Sequence, residues 1–139
     1  IEKIDEYFET LKPKFKVGDY VVLHAFHKEV AKIDKICGDK LHGLWYDTKS
    51  KNIKQDYYLG SGTAVKHATP EEIAEYKAAL NFHKHGRKPF EVKDGDILRD
   101  DKGNIFFVGF PNNFKKECFT RGIYTFLKTA EEYNEWLEK

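Results

Sequence analysis

The sequence predicts an α+β, mainly β protein. Two small antiparallel sheets of barrel type are each followed by a capped helix, with one more helix in front. Three observations lead there. Apolar residues alternate with a period of two through much of the chain. Thr69-Pro-Glu-Glu72 and Thr129-Ala-Glu-Glu132 have the spacing of helix starts. The order of proline-phenylalanine, acidic glycine turn, strands and capped helix also occurs twice.

Ile1, Ile4, Phe8 and Leu11 form one apolar stripe at helical spacing, and Pro13 stops it, so a helix is expected over 1–13. That stripe fits its own sheet or another subunit equally well, which leaves the oligomeric state open. From Val17 the period falls to two. The run Tyr20-Val-Val-Leu-His-Ala-Phe26 is apolar on both faces, as a buried strand requires. Further strands are expected over 31–37, 40–46, 53–59 and 64–66. Turn signals separate them at Gly38-Asp39, at 47–52 and at Gly60-Ser-Gly62.

Thr69 supplies an N-cap hydroxyl, Pro70 takes the first helical position, and Glu72 reaches back to the cap amide. Glu71 and Glu72 also sit at the favourable end of the helix dipole. Ile73, Tyr76, Leu80 and His83 give the expected buried stripe, and Gly86 marks the end. The second half then shortens the plan. Lys88-Pro89-Phe90 echoes Lys12-Pro13-Lys14-Phe15, and Gly95-Asp96-Ile97-Leu98 echoes Gly18-Asp19-Tyr20-Val21. Strand-like runs follow at 105–110, 116–120 and 123–127. A helix then opens at Thr129, with Tyr133, Trp136 and Leu137 expected to face inward. The organisation expected is a leading helix (1–13), a first unit (14–84) and a second, shorter unit (85–139). A unit of ~50 residues buries too little surface to stand alone, so the two are expected to pack as one globule.

The 139 residues carry 24 Lys and Arg against 23 Asp and Glu. The balance is 13 against 13 up to Leu80 and 11 against 10 after it, so neither half offers the field of a nonspecific nucleic-acid binder. No apolar run approaches the ~20 residues of a membrane span, and no signal-peptide pattern opens the sequence. The expected location is therefore cytoplasmic, with no membrane partner. Two cysteines, Cys37 and Cys118, exclude a disulfide scaffold. Aromatic content is high, with 8 Tyr, 11 Phe and 2 Trp, so rings are expected to fill the core and leave some for recognition.

Gly18-Asp19-Tyr20-Val21 ahead of a five-strand meander resembles the opening of SH3-like barrels. The two-part pattern is similar to small uncharacterised proteins of bacteriophages and mobile elements of gut Bacteroidetes. Ala68-Thr69-Pro70-Glu71-Glu72-Ile73, Lys88-Pro89-Phe90 and Asp96-Ile97-Leu98-Arg99-Asp100 carry that resemblance. It covers under a third of the chain, from Ala68 to Phe107, and 91–95 stand as an insertion within it. It implies a phage or mobile-element origin and a role in the host cytoplasm. It brings no activity and no catalytic residue.

Reactive groups are present without the arrangement that catalysis needs. A zinc reading would join His24, His27, His83 or His85 and Cys37. Residues three apart on a strand point to opposite faces, so His24 and His27 do not converge, and no metal is expected. Cys118 lies in Lys115-Lys116-Glu117-Cys118, a basic setting, but Phe114 and Phe119 flank it as they would a core residue. Asp94, Asp96, Asp100 and Asp101 have the density of Mg²⁺ ligands and equally of hairpin turns, where Asp tolerates unusual backbone angles. No phosphate loop, serine elbow or metalloprotease helix occurs, so neither a catalytic set nor a cofactor is expected.

Aromatics next to lysines give the positive signal. Trp45 and Tyr46 precede the loop containing Lys51, and Tyr57 and Tyr58 follow it. Phe110 and Phe114 bracket a second loop that ends in Lys115 and Lys116. Ring-lined loops of small barrels hold peptide segments. The expected function is therefore a non-enzymatic binding protein that engages a host protein through these two loops. The alternative is a module for single-stranded nucleic acid or a nucleotide, by stacking and phosphate contact. A small enzyme centred on Cys118 or Asp96 is the third reading.

Overall fold

The alternating apolar stretch folds into a five-stranded antiparallel sheet in the order β4-β3-β2-β1-β5. Its strands are β1 (Tyr20–His24), β2 (Lys28–Cys37), β3 (Lys40–Asp47), β4 (Ile53–Leu59) and β5 (Val65–His67). The computed structural model describes residues 15–25, 27–60 and 64–139. The helix expected over 1–13 and the turn residues Ser61 and Gly62 lie outside them. Helix α1 (Pro70–Lys84) follows. A three-stranded sheet, β7-β6-β8, is then built from β6 (Ile97–Asp100), β7 (Ile105–Phe107) and β8 (Tyr124–Lys128). A 3-10 turn (Pro111–Asn113) and the short helix α2 (Lys116–Thr120) lie between β7 and β8, and α3 (Ala130–Leu137) closes the chain.

The first sheet is apolar on both faces because both are covered. Val21, Leu23, Ala31, Ile33, Leu41, Trp45, Val65 and Phe15 cluster on one side. On the other, Val22, Val30 and Tyr46 meet Tyr76 and Ala79 of α1. β2 carries a register shift between Ile33 and Lys35, and opposite it β3 places Gly43. A Cβ at Gly43 would collide with the Lys32 carbonyl, so this crossing requires glycine.

The second sheet turns one face to α1. Leu98, Val108, Phe119 and Phe126 surround Phe82 near the helix's C-terminal end, with Phe90 packed against them. Phe82 meets Phe119 at 4.9 Å, Phe126 at 4.6 Å and Phe90 at 5.6 Å between ring centroids. Helix α1 thus contributes to both cores. The Arg87 amide returns to the Phe82 carbonyl beyond Gly86, whose φ of +77° makes the reversal.

Four expectations need correction. Neither sheet closes into a barrel among the described residues: β4 and β5 are the two edges of the first sheet, and three strands are too few to close the second. Residues 116–120 form a helix where a strand was expected, and the helical turn carries Phe119 onto Phe82. The buried stripe of α1 is Tyr76, Ala79 and Phe82, with His83 exposed, because two sheets press on the helix from different sides. Helix α3 buries none of its residues: Trp136 is 61% and Leu137 57% exposed.

Candidate functional site

The nine residues expected at the site separate into four places. Trp45 and Tyr46 are fully buried on opposite faces of β3. Trp45 meets the Tyr58 ring edge-on at 4.8 Å, and its Nε1 has no hydrogen-bond partner among the described residues. The Tyr58 hydroxyl donates to Glu29, and burial together with that carboxylate raises its pKa. Tyr57 lies on the outer side of β4, its ring tilted against His42 at 5.1 Å, with Lys40 Nζ 4.9 Å from the centre of its ring.

Tyr46, Lys51 and Lys116 come together around Glu75 and Phe90. The Tyr46 hydroxyl donates to Glu75 Oε2 at 2.9 Å, and Lys116 Nζ stands 3.1 Å from Glu75 Oε1. Burial, then Glu75, pushes the Tyr46 pKa far up, so this phenol stays protonated. Lys51 Nζ donates to the Thr48 carbonyl and lies 5.8 Å from the centre of the Phe90 ring. Lys51 and Phe90 both have positive φ, +63° and +65°. For a bulky ring that conformation is held by its surroundings, here Tyr46, Phe82 and Phe119. The neighbouring groove is lined by Lys28, Thr48, Glu72, Glu75 and Lys116. Its two lysines pair with its two glutamates, so it presents no unpaired cation to a phosphate.

In the second loop, Phe114 turns inward onto Phe106 and Tyr124 at 6.0 and 5.1 Å. Lys115 is exposed at the N-cap of α2, and Phe110 stands 75% exposed.

The acidic turn forms a clamp. Asp96, with no exposed surface, receives Arg87 Nη1 at 2.7 Å and Nη2 at 2.9 Å. It also accepts the Lys93 amide at 2.8 Å and the Ala130 amide at 2.9 Å. Four donors occupy its four lone-pair directions and leave none for a metal ion or a proton relay. Burial opposes the Arg87 charge, but the hydrogen bonds of Glu131 and Asp96 outweigh it and raise the pKa. His85 pairs with Glu132 at 3.0 Å and packs on Phe126. Asp100 accepts the Lys102 and Asn104 amides and so shapes the β6–β7 turn. Among the described residues, no three His, Cys, Asp or Glu side chains gather to hold a metal.

A different surface carries the exposed rings. Ile105 and Phe107 of β7 are 66% and 57% exposed on the sheet face turned away from α1. Phe107 meets Tyr133 of α3 at 5.2 Å, and Tyr133 stacks on Trp136 at 5.9 Å. This shelf of Ile105, Phe107, Tyr133 and Trp136, with Phe110 following on the chain, was missed in the sequence. Its signal was present: 105–107 alternate around the inward Phe106, and α3 is a two-turn helix with three glutamates. Nothing local showed that only one face of this sheet would be covered. Comparison with protein-family models, with curated proteins and with solved structures found no match.

Proposed function

We propose that this chain is a non-enzymatic binding protein whose partner is another protein. We place the contact on the shelf formed by β7 and α3 together with Phe110. The observation that carries the reading is the exposure of Ile105, Phe107, Phe110 and Trp136, each above half, within one segment and the helix that touches it. Isolated exposed apolar residues are ordinary, whereas linked ones rimmed by charge mark interaction surfaces. The phage resemblance suggests a host protein as the partner. The strand order of the first sheet is compatible with an open, SH3-like arrangement serving as the scaffold.

The charge balance and the internal pairing of Lys51 and Lys116 favour a protein over single-stranded nucleic acid. The saturation of Asp96 weighs against the enzyme reading. The test is capture of a partner from host lysate by the tagged chain, with and without nuclease and at two salt concentrations. A stoichiometric protein that survives both treatments, and that is lost with Phe107→Ser/Trp136→Ser, is the expected result. Capture that vanishes with nuclease, or that survives the double substitution, overturns the reading.

A further inference from the structure

We infer that β7 takes up an extended peptide as a fourth strand of the second sheet. The segment recognised has apolar residues at alternate positions and Lys or Arg beside them. This rests on the shelf proposed above and adds how the partner is held.

The hydrogen-bond phase of the β6–β7 hairpin carries the argument. The Asp100 amide bonds to the Asn104 carbonyl, and the Val108 amide bonds to the Asp96 carbonyl. In an antiparallel ladder bonded pairs alternate with unbonded ones, so with Leu98 opposite Phe106 that pair is bonded too. Ile105 and Phe107 then direct both N–H and C=O away from β6. β7 is an edge of its sheet, so no strand among the described residues receives them. The other edge, β8, is guarded: Asn81 of α1 donates to the Phe126 carbonyl at 2.8 Å. At β7 the same two residues thus offer an open ladder and two exposed apolar side chains. An added strand would meet both, with backbone bonds giving affinity and alternate side chains giving specificity.

Charge selects the occupant. Helix α3 carries Glu131, Glu132 and Glu135, and Glu138 follows as its C-cap. Arg87 and His85 engage the first two, which leaves Glu135 and Glu138 exposed beside the Tyr133–Trp136 shelf. A second copy pairing β7 with β7 about a two-fold axis would bring two such acidic helices onto one sheet face. A peptide with basic residues meets the opposite charge there.

The test is selection of a random seven-residue peptide library on the full chain, followed by titration of the best peptide. Apolar residues at alternate positions with Lys or Arg between them are expected. On binding, hydrogen exchange should slow at the Ile105 and Phe107 amides. Ile105→Pro removes an outward N–H and the exposed Ile105 side chain but no β6–β7 bond; affinity should fall about tenfold below that of Ile105→Ala, which loses the side chain alone, since a peptide carbonyl loses its donor. Glu135→Lys/Glu138→Lys should weaken binding a few-fold. A library that enriches nothing, or only helical spacing, overturns the inference. So does a peptide that leaves the two amides unprotected in the unaltered chain. Protection that grows with protein concentration in the absence of peptide would assign the edge to a second copy instead. If Phe107→Ser/Trp136→Ser abolishes binding while Ile105→Pro has no effect, the shelf stands and the added strand falls. If the double substitution has no effect, the shelf itself fails.

Discussion

Helices α1 and α3 begin in the same way and end up in opposite surroundings. Thr69 and Thr129 each have φ of −77°, and each hydroxyl accepts the amide of a glutamate three residues on. Each of those carboxylates accepts the cap amide in return, at 2.8 Å in both cases. Beyond the first turn the likeness stops. Helix α1 lies between two sheets and buries Tyr76, Ala79 and Phe82, whereas α3 lies on an otherwise open face and buries nothing. Capping is a local transaction among four residues, and burial depends on what the rest of the chain brings. The sheets differ in the same sense. The first is covered on both faces; the second is covered on one and leaves Ile105 and Phe107 outside.

The contrast can be broken hardest at the clamp that ties α3 to β6. Asp96→Ala leaves the buried Arg87 guanidinium without its main partner and should cost about 3–5 kcal/mol in urea unfolding. Arg87→Met/Asp96→Leu should recover much of that loss, because two apolar residues replace a charge pair. A double variant no better than Asp96→Ala would mean that the Lys93 and Ala130 amides, not the charge pair, dominate.

The next test compares large rings in the two helices. Phe82→Ala should destabilise by about 3–5 kcal/mol and Trp136→Ala by no more than about 0.5 kcal/mol, judged from denaturation midpoints. A loss at Trp136 close to that at Phe82 would mean that α3 holds the fold as α1 does, and the binding shelf would lose its basis.

The smallest effects belong to the caps. Thr69→Ala and Thr129→Ala should each cost about 1 kcal/mol, the equal amounts reflecting equal geometry. Both cap carboxylates titrate below the usual glutamate range. Burial opposes the shift in each case. The Thr69 amide with Lys28 outweighs it for Glu72, and the Thr129 amide with His85 does so for Glu132. A depressed folded-state pKa adds stability that is present above the unfolded value, about 4.3, and lost as pH falls through the folded value. Stability measured from pH 6 down to pH 3 should therefore fall less steeply in Glu72→Gln/Glu132→Gln than in the unaltered chain.

What was legible in the sequence shares one property: short range. The strands over 20–59, both capping boxes, the end of α1 at Gly86 and the turn role of Asp100 each rest on a few neighbouring residues. The misread features depend on distant ones. Residues 116–120 became helical because Phe119 has Phe82 to pack on. Trp45 and Tyr46, adjacent on a strand with two covered faces, both went into the core. Lys51 and Lys116 were drawn to Phe90 and Glu75, which the sequence sets 39 and 41 residues away.

By itself the sequence determined where α1 and α3 start, which segments alternate and that charge nearly cancels, since side-chain spacing and backbone preference act within a turn or two. Only the tertiary structure decided which faces were covered. Burial is a property of pairs of surfaces, and the partner of each surface lies far along the chain. Helix α1 found two sheets to fill with its rings. Helix α3 found one strand edge, and Phe107 and Trp136 stayed in water.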